Sequence, residues 1–406
     1  MKKTILALIF IILSLPLFSK NEKKTDYSSI HGVCYTGWRA DEATVRQQLG
    51  WARQIGINST RIWLWGYERD PKAFIKSLEN YLDIAASMDI TVMPILFNGN
   101  GLNPDILEED AWPANEKYVR DVVGSLKNSK GLLCWDIMNE PTCNDYHNHA
   151  PAEEVAAREE KIFAFVRRVC KLVKEVAPEN DITVGVTYPK FIESASPDLV
   201  DVISFHDYRE TRAIITANYE IAKAAAQKYG KQMINSEMGC IGRSNPYDLA
   251  LQVADEYNAG WYLFELMIGG GWGNIHGIFY PDGTVRDPSI IAACMGFYRK
   301  RDLSTSIKEY PNREGYCDEA IRRIQNAFKE EKEVFKSTYA STDDILEACE
   351  WAANLLESAQ MVPMYDMPSA RIEAWRMQDP KERDEKAIRK FAYNLVKLLK
   401  ENCEIF

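Results

Sequence analysis

The chain has no low-complexity tract, no evident internal repeat, no basic run and no Cys-x-x-Cys pair. With 49 basic against 59 acidic residues and a net charge of −10, it carries no electrostatic footprint for nucleic acid. Nine cysteines without metal-like spacing give no zinc module, and their odd count leaves at least one unpaired within a monomer. Most read as buried thiols, such as Cys134 in an apolar strand-like run and Cys170 on a helical one. Beyond Phe18 no segment is long and apolar enough to cross a membrane.

What is present begins with an export signal. Lys2 and Lys3 precede an apolar run from Ile5 to Phe18, and the small Ser19 closes it, so residues 1–19 are expected to be a signal peptide. The run is short for a bilayer span, Pro16 interrupts it, and no cysteine follows where a lipid anchor needs one. An uncleaved anchor is the alternative. Cleavage after Ser19 would remove two lysines, taking the charge from −10 to −10 − 2 = −12. The expected destination is periplasmic or extracellular, with no integral membrane segment left.

With 406 residues, 46% of them hydrophobic, the chain suits one large domain with a smaller companion. Eight near-continuous apolar runs follow one another: Gly32–Tyr35, Thr60–Trp65, Thr91–Phe97, Leu132–Met138, Ile182–Thr187, Val200–Phe205, Gln232–Ser236 and Trp261–Leu266. Such runs suit parallel strands covered on both faces. Helical patterns separate most of them. The clearest has Asp70 as cap, Pro71 in the first turn, and Phe74, Leu78, Tyr81, Leu82 and Ala85 on one face. The segment after the fifth run shows no firm helix. The alternation predicts a (β/α)8 TIM barrel over residues 28–300, with its active site at the carboxyl ends of the strands. From 301 to 406 only helical spacing remains, as in Ile345, Ala348, Ala352 and Leu355 or Ile388, Phe391, Leu395 and Leu399. A C-terminal all-helical extension packed on the barrel is expected there.

Two strand ends carry chemistry. The run Cys134-Trp135-Asp136-Ile137-Met138-Asn139-Glu140-Pro141 delivers an Asn-Glu pair, and Gln232-Met233-Ile234-Asn235-Ser236-Glu237 ends in a second carboxylate three strands later. One proton donor and one nucleophile at the carboxyl ends of two strands suit retaining glycoside hydrolysis, with the two carboxyl groups about 5 Å apart. The charge of one would raise the pKa of the other. Cys143 and Cys240 each follow one of these glutamates, so a disulfide between the two loops is among the open alternatives.

From about Gly32 to Tyr298 the chain resembles the clan A glycoside hydrolases, above all the cellulase-like family 5 and the catalytic barrel of family 2. That resemblance implies Glu140 as acid/base and Glu237 as nucleophile. It implies Asn139 at the sugar 2-hydroxyl and Arg61, in Thr60-Arg61-Ile62, beside the nucleophile. In Phe205-His206-Asp207-Tyr208 it implies a His-x-Tyr whose tyrosine hydrogen-bonds the nucleophile. An arginine and a hydroxyl there would keep Glu237 ionised and oriented.

Two departures stand out. Strand three ends in Phe97-Asn98 where the cellulase-like pattern often has His-Asn, which leaves Asn98 as the sugar contact and removes a polar one at 97. The strand-eight tryptophan that floors the sugar site falls at Phe264, which stacks with less area and no N–H. Trp272, in Gly269-Gly270-Gly271-Trp272-Gly273, is expected on a flexible turn facing sugar; Trp38, Trp63, Trp65 and Trp112 divide between stacking and core roles. Asp145, His147 and His149 read as loop residues rather than a metal site. The expected activity is an exported retaining β-glycoside hydrolase acting on an oligo- or polysaccharide, with no metal or organic cofactor. A transglycosylase on the same barrel and a catalytically silent carbohydrate-binding barrel are the alternatives.

Overall fold

The computed structural model of the protein describes residues 25–240, 242, 245–270, 273, 275–298, 320–325, 341–358 and 367–403. The expected signal peptide, residues 1–19, lies outside them. Eight strands run in chain order: β1 (His31–Cys34), β2 (Ser59–Trp63), β3 (Thr91–Asn98), β4 (Trp135–Asn139), β5 (Ile182–Thr183), β6 (Val202–His206), β7 (Gln232–Met238) and β8 (Gly260–Leu263). Each falls on one of the eight apolar runs. Every pairing is parallel, in the order β5-β4-β3-β2-β1-β8-β7-β6. The remaining seam, between β5 and β6, is drawn together by a parallel Val186–Phe205 bridge and by the Thr183 hydroxyl donating to the Val202 carbonyl at 2.8 Å. The result is a (β/α)8 barrel.

Between the strands lie α1 (Glu42–Gln54), α2 (Pro71–Ser87), α3 (Trp112–Leu126), the single turn α4 (Asp145–Asn148), α5 (Val155–Val176), α6 (Arg212–Tyr229), α7 (Tyr247–Glu256) and α8 (Pro288–Cys294). Asp70 caps α2 by accepting from the Ala73 amide, with Pro71 in the first turn, where a missing N–H costs no helical bond. Only a 3-10 turn, Pro189–Phe191, links β5 to β6, in keeping with the weak helical pattern there.

Alternate residues along each strand face opposite ways. Val33, Ile62, Val92, Ile137 and Ile203 join the layer between strands and helices. Their neighbours Cys34, Met93, Val202 and others fill the barrel interior together with Cys134, Ile234 and Tyr262. Burial on both faces explains why these strands read as continuous apolar runs.

In the tail, α9 (Thr342–Ser358), α10 (Pro368–Arg376) and α11 (Glu385–Cys403) share a core of their own, built on Ile345, Leu346, Ala353, Ile388, Leu395 and Leu399. The buried Glu357 carboxylate accepts from the Ser369 amide at 2.6 Å and its hydroxyl at 2.8 Å, satisfying donors at the start of α10. Cys143 and Cys240 are not joined to each other by a disulfide. Among the described residues no helix is long and apolar enough to cross a membrane.

Candidate active site

Strands β2, β4, β6 and β7 bring Arg61, Asp136, Asn139, Glu140, His206 and Glu237 into one buried cluster. Local irregularities aim the two glutamates. Between paired positions β7 carries one more residue than either neighbour: Phe205 pairs Asn235 but His206 pairs Glu237, and a matching shift occurs against β8. A bulge of this kind re-aims a side chain next to a site. Glu140 adopts a left-handed backbone, φ 43°, just past β4, a conformation that costs a non-glycine residue about 1–3 kcal/mol. Its amide donates to the Gly185 carbonyl at 2.7 Å, and Gly99 passes so close that a Cβ there would lie 2.1 Å from the Glu140 carbonyl oxygen. Only glycine fits at 99.

Arg61 is the hub. Its Nε and Nη2 donate to Asp136 Oδ2 at 3.0 and 2.7 Å, Nη2 also to Asn139 Oδ1 at 2.7 Å, and Nη1 to Glu237 Oε2 at 3.3 Å. The guanidinium also lies 5.1 Å from the Trp63 ring centre. Asp136 completes its bonding by accepting from the Gly185 amide at 3.0 Å. A buried guanidinium with two carboxylates and an amide around it is charged and fixed.

His206 joins the glutamates. Its Nδ1 is 2.9 Å from Glu140 Oε1 and 2.9 Å from Glu237 Oε2, so a proton on Nδ1 is shared by both carboxyl groups. Burial disfavours the imidazolium, but the two glutamates outweigh it and raise the His206 pKa. Glu237 moves the other way. Burial opposes its ionisation, yet His206, Arg61 and the Tyr208 hydroxyl hold it well below the ordinary carboxylate range. One ligating atom each from Glu140, His206 and Glu237 lie within 4.8 Å of one another, the one set of side chains among the described residues close enough to share a metal ion. Asp145, His147 and His149 form no such set.

At the rim, Asn98 is exposed and its Oδ1 accepts from Asn139 Nδ2 at 2.9 Å. Phe264 stands edge-on to Trp63 (5.7 Å) and to His276 (4.7 Å), and His276 in turn meets Tyr208 at 5.7 Å. Trp38 is core: it is 2% exposed, packs on Phe74 and donates to the Trp63 carbonyl. Trp65 is 54% exposed, with the Arg39 guanidinium 4.7 Å from its ring centre. Trp272 lies outside the described residues.

One expectation is corrected. Phe97 does not line the sugar site; it packs edge-on against Tyr118 of α3 and Phe165 of α5. Despite their even spacing, Phe97 and the interior residue Met93 lie on opposite sides of β3, so a phenylalanine at 97 leaves the cleft's polarity untouched. Asp136, Gly185 and Glu265 went unassigned in the sequence. A lone aspartate inside the apolar run 134–138 was the available signal, since a buried charge must be paired. Glu265 follows Phe264 across a cis peptide bond and is buried. Burial pushes its carboxyl up to about 7, with Thr36 easing the shift and the charge of Glu237 adding to it.

Residues 21–274 match the family described as Cellulase (glycosyl hydrolase family 5). Among curated proteins none matches. Solved structures share the fold at low identity. The endo-1,4-β-mannanase from Rhizomucor miehei is 16% identical over 65% of this chain and 92% of its own, with a TM-score of 0.54. An endo-β-1,4-mannanase from Thermotoga petrophila is 15% identical over 69% of this chain and 79% of its own, at 0.54. The β-galactosidase from Marinomonas ef1 is 11% identical over 66% and 58%, at 0.52.

Proposed function

The chain belongs to the cellulase family, glycosyl hydrolase family 5, and is a glycoside hydrolase; we propose that it cleaves β-glycosides with retention, through a covalent glycosyl-enzyme. The observation that carries this reading is the close approach of Glu140 and Glu237, an oxygen of each within 4.8 Å of the other and of His206 Nδ1. Retaining enzymes keep the two carboxyl groups about 5–5.5 Å apart; inverting ones leave about 6.5–9.5 Å for a water.

In this proposal Glu237 attacks the anomeric carbon. Its ionised state, favoured by Arg61, His206 and Tyr208, suits a nucleophile that must be a carboxylate before the sugar arrives. Glu140 protonates the departing oxygen, then takes a proton from the water that releases the sugar. Asn139, tied to Arg61 and Asn98, stands next to Glu140 where a 2-hydroxyl would bind, and Phe264 with Trp63 offers an apolar wall to the ring. The substrate is a β-linked oligo- or polysaccharide. The apolar run and small residue at 5–19 support action after export, in the periplasm or outside the cell; the first residue of the purified mature protein tests this, Met1 counting against it.

Glu237→Ala should lower turnover of an aryl β-glycoside by several orders of magnitude, and added azide should restore it with an α-glycosyl azide as product. A β-azide would exchange the roles of the two glutamates. Undiminished turnover would remove Glu237 from the reaction.

A further inference from the structure

Glu265 is a third acidic group beside the pair, and the reaction described above does not use it. It sits just past the end of β8, 5% exposed, and among the described residues its charged neighbourhood consists of Glu237 with no cation in contact. A buried carboxyl without a cationic partner is costly for a fold to keep and marks a functional position more often than a structural one. Its backbone is held on both sides: the Glu265 carbonyl accepts from the Ile278 amide at 3.1 Å, and the next amide, Leu266, donates to the Cys34 carbonyl of β1 at 2.9 Å. Among the described residues one side chain hydrogen-bonds it, the Thr36 hydroxyl, donating to Oε2 at 3.2 Å. Thr36 is exposed, just past β1, so this pair opens on the same end of the barrel as Glu237. Oε1 is neither bonded within the described chain nor among its buried unpartnered atoms.

We propose that Glu265 is a sugar-recognition residue: with Thr36 fixing Oε2, its Oε1 hydrogen-bonds one ring hydroxyl of the sugar held against Glu237, and the two acidic groups together select neutral glycosides over uronosides. The inference rests on the retaining reading above and adds the substrate class to it. A sugar hydroxyl both donates and accepts, and a carboxyl at Oε1 answers either need. Its elevated proton affinity means that the group is neutral through the mildly acidic range, which suits donation to a hydroxyl. Above about pH 7 the Glu265 carboxyl ionises and accepts from the hydroxyl instead, and a uronate entering the same space then meets like charge on both Glu265 and Glu237, which costs binding.

The test uses the full-length enzyme with aryl β-glucoside, β-mannoside, β-galactoside and β-glucuronide, and with monodeoxy versions of the neutral glycoside turned over best. Wild type should prefer a neutral glycoside to the glucuronide. Glu265→Leu should lower kcat/KM on that glycoside by about 100-fold, because a site built around a substrate hydroxyl discriminates strongly when the pairing is lost. The loss should shrink to less than about threefold on one deoxy glycoside only, since that substrate lacks the partner group. Glu265→Gln, of the same shape and able to keep the Thr36 bond, guards against a folding artefact: it should keep the wild-type melting temperature at about pH 5, where both side chains are neutral, and narrow the preference over glucuronide at about pH 8 by at least about tenfold. Equal losses on every deoxy glycoside, or an unchanged neutral-to-uronide ratio in Glu265→Gln, would overturn the assignment while leaving the retaining reading intact. Inversion of configuration by the wild-type enzyme would instead overturn that reading, and this one with it.

Discussion

Replacing Asp136 by asparagine tests whether the buried charges beneath the glutamates hold the site together. Asp136 accepts two bonds from Arg61 and one from the Gly185 amide, and both side chains of the ion pair are fully buried. Asparagine has the same outline but must turn its NH2 toward either the guanidinium or the Gly185 N–H, setting donor against donor. Breaking one partner of a buried ion pair costs about 3–5 kcal/mol. Arg61 keeps Asn139 and the longer contact to Glu237, so the lower end applies, about 3 kcal/mol. At about 2 °C per kcal/mol for a domain of this size, the melting temperature should fall by about 6 °C. Arg61 should swing toward Glu237, its remaining counter-ion, and carry Asn139 with it. A displacement of about 1 Å at that position is enough to lower kcat about 100-fold. Circular-dichroism melts and initial rates on an aryl β-glycoside read both effects. A melting temperature within 1 °C of wild type together with full turnover would refute the reasoning.

Two further outcomes are expected. Glu265 rises from 4.5 to about 7 and Asp207 from 3.8 to about 6 on folding, so each stabilises the fold while protonated and loses that contribution as pH climbs through the folded value. Stability should therefore decline between pH 5 and pH 8, and Glu265→Gln should remove about 2 kcal/mol of that decline; parallel melting curves for the two proteins against pH would refute the shift. In the tail, Leu395→Ala empties part of the core shared by α9, α10 and α11 and should cost about 2–5 kcal/mol, read as lost hydrogen-exchange protection along α11; unchanged protection would mean that these helices do not share a core.

The barrel was legible because its strands are buried on both faces, and eight unbroken apolar runs leave few other architectures. Strand lengths were less so: the apolar run at 182–187 contains a two-residue strand, since β5 leaves its ladder where Gly185 turns its amide and carbonyl to Asp136 and Glu140. The two glutamates announced themselves as carboxylates ending apolar runs. Asp136 did not, because inside such a run only its three-dimensional partners explain it. Phe97 misled for a different reason. Aligning a residue type with a family position says nothing about which face of the strand it occupies, and the packing of the ring on α3 and α5 decided that. Glu265 was hidden because a lone acid after an aromatic reads in sequence as an ordinary surface carboxylate, and only its burial sets it apart.

The equal distances from His206 Nδ1 to Glu140 and Glu237 have a consequence for the reaction's solvent. In the proposed cycle one unit of negative charge leaves Glu237 as the sugar bond forms and appears on Glu140 as its proton departs, and the second step sends it back. The donor that stabilises the charge at both addresses is a single N–H on a buried, stationary ring. Charge crosses the cleft while the dipoles around it stay where they were, so little reorganisation energy is added to either barrier and no water has to follow the proton.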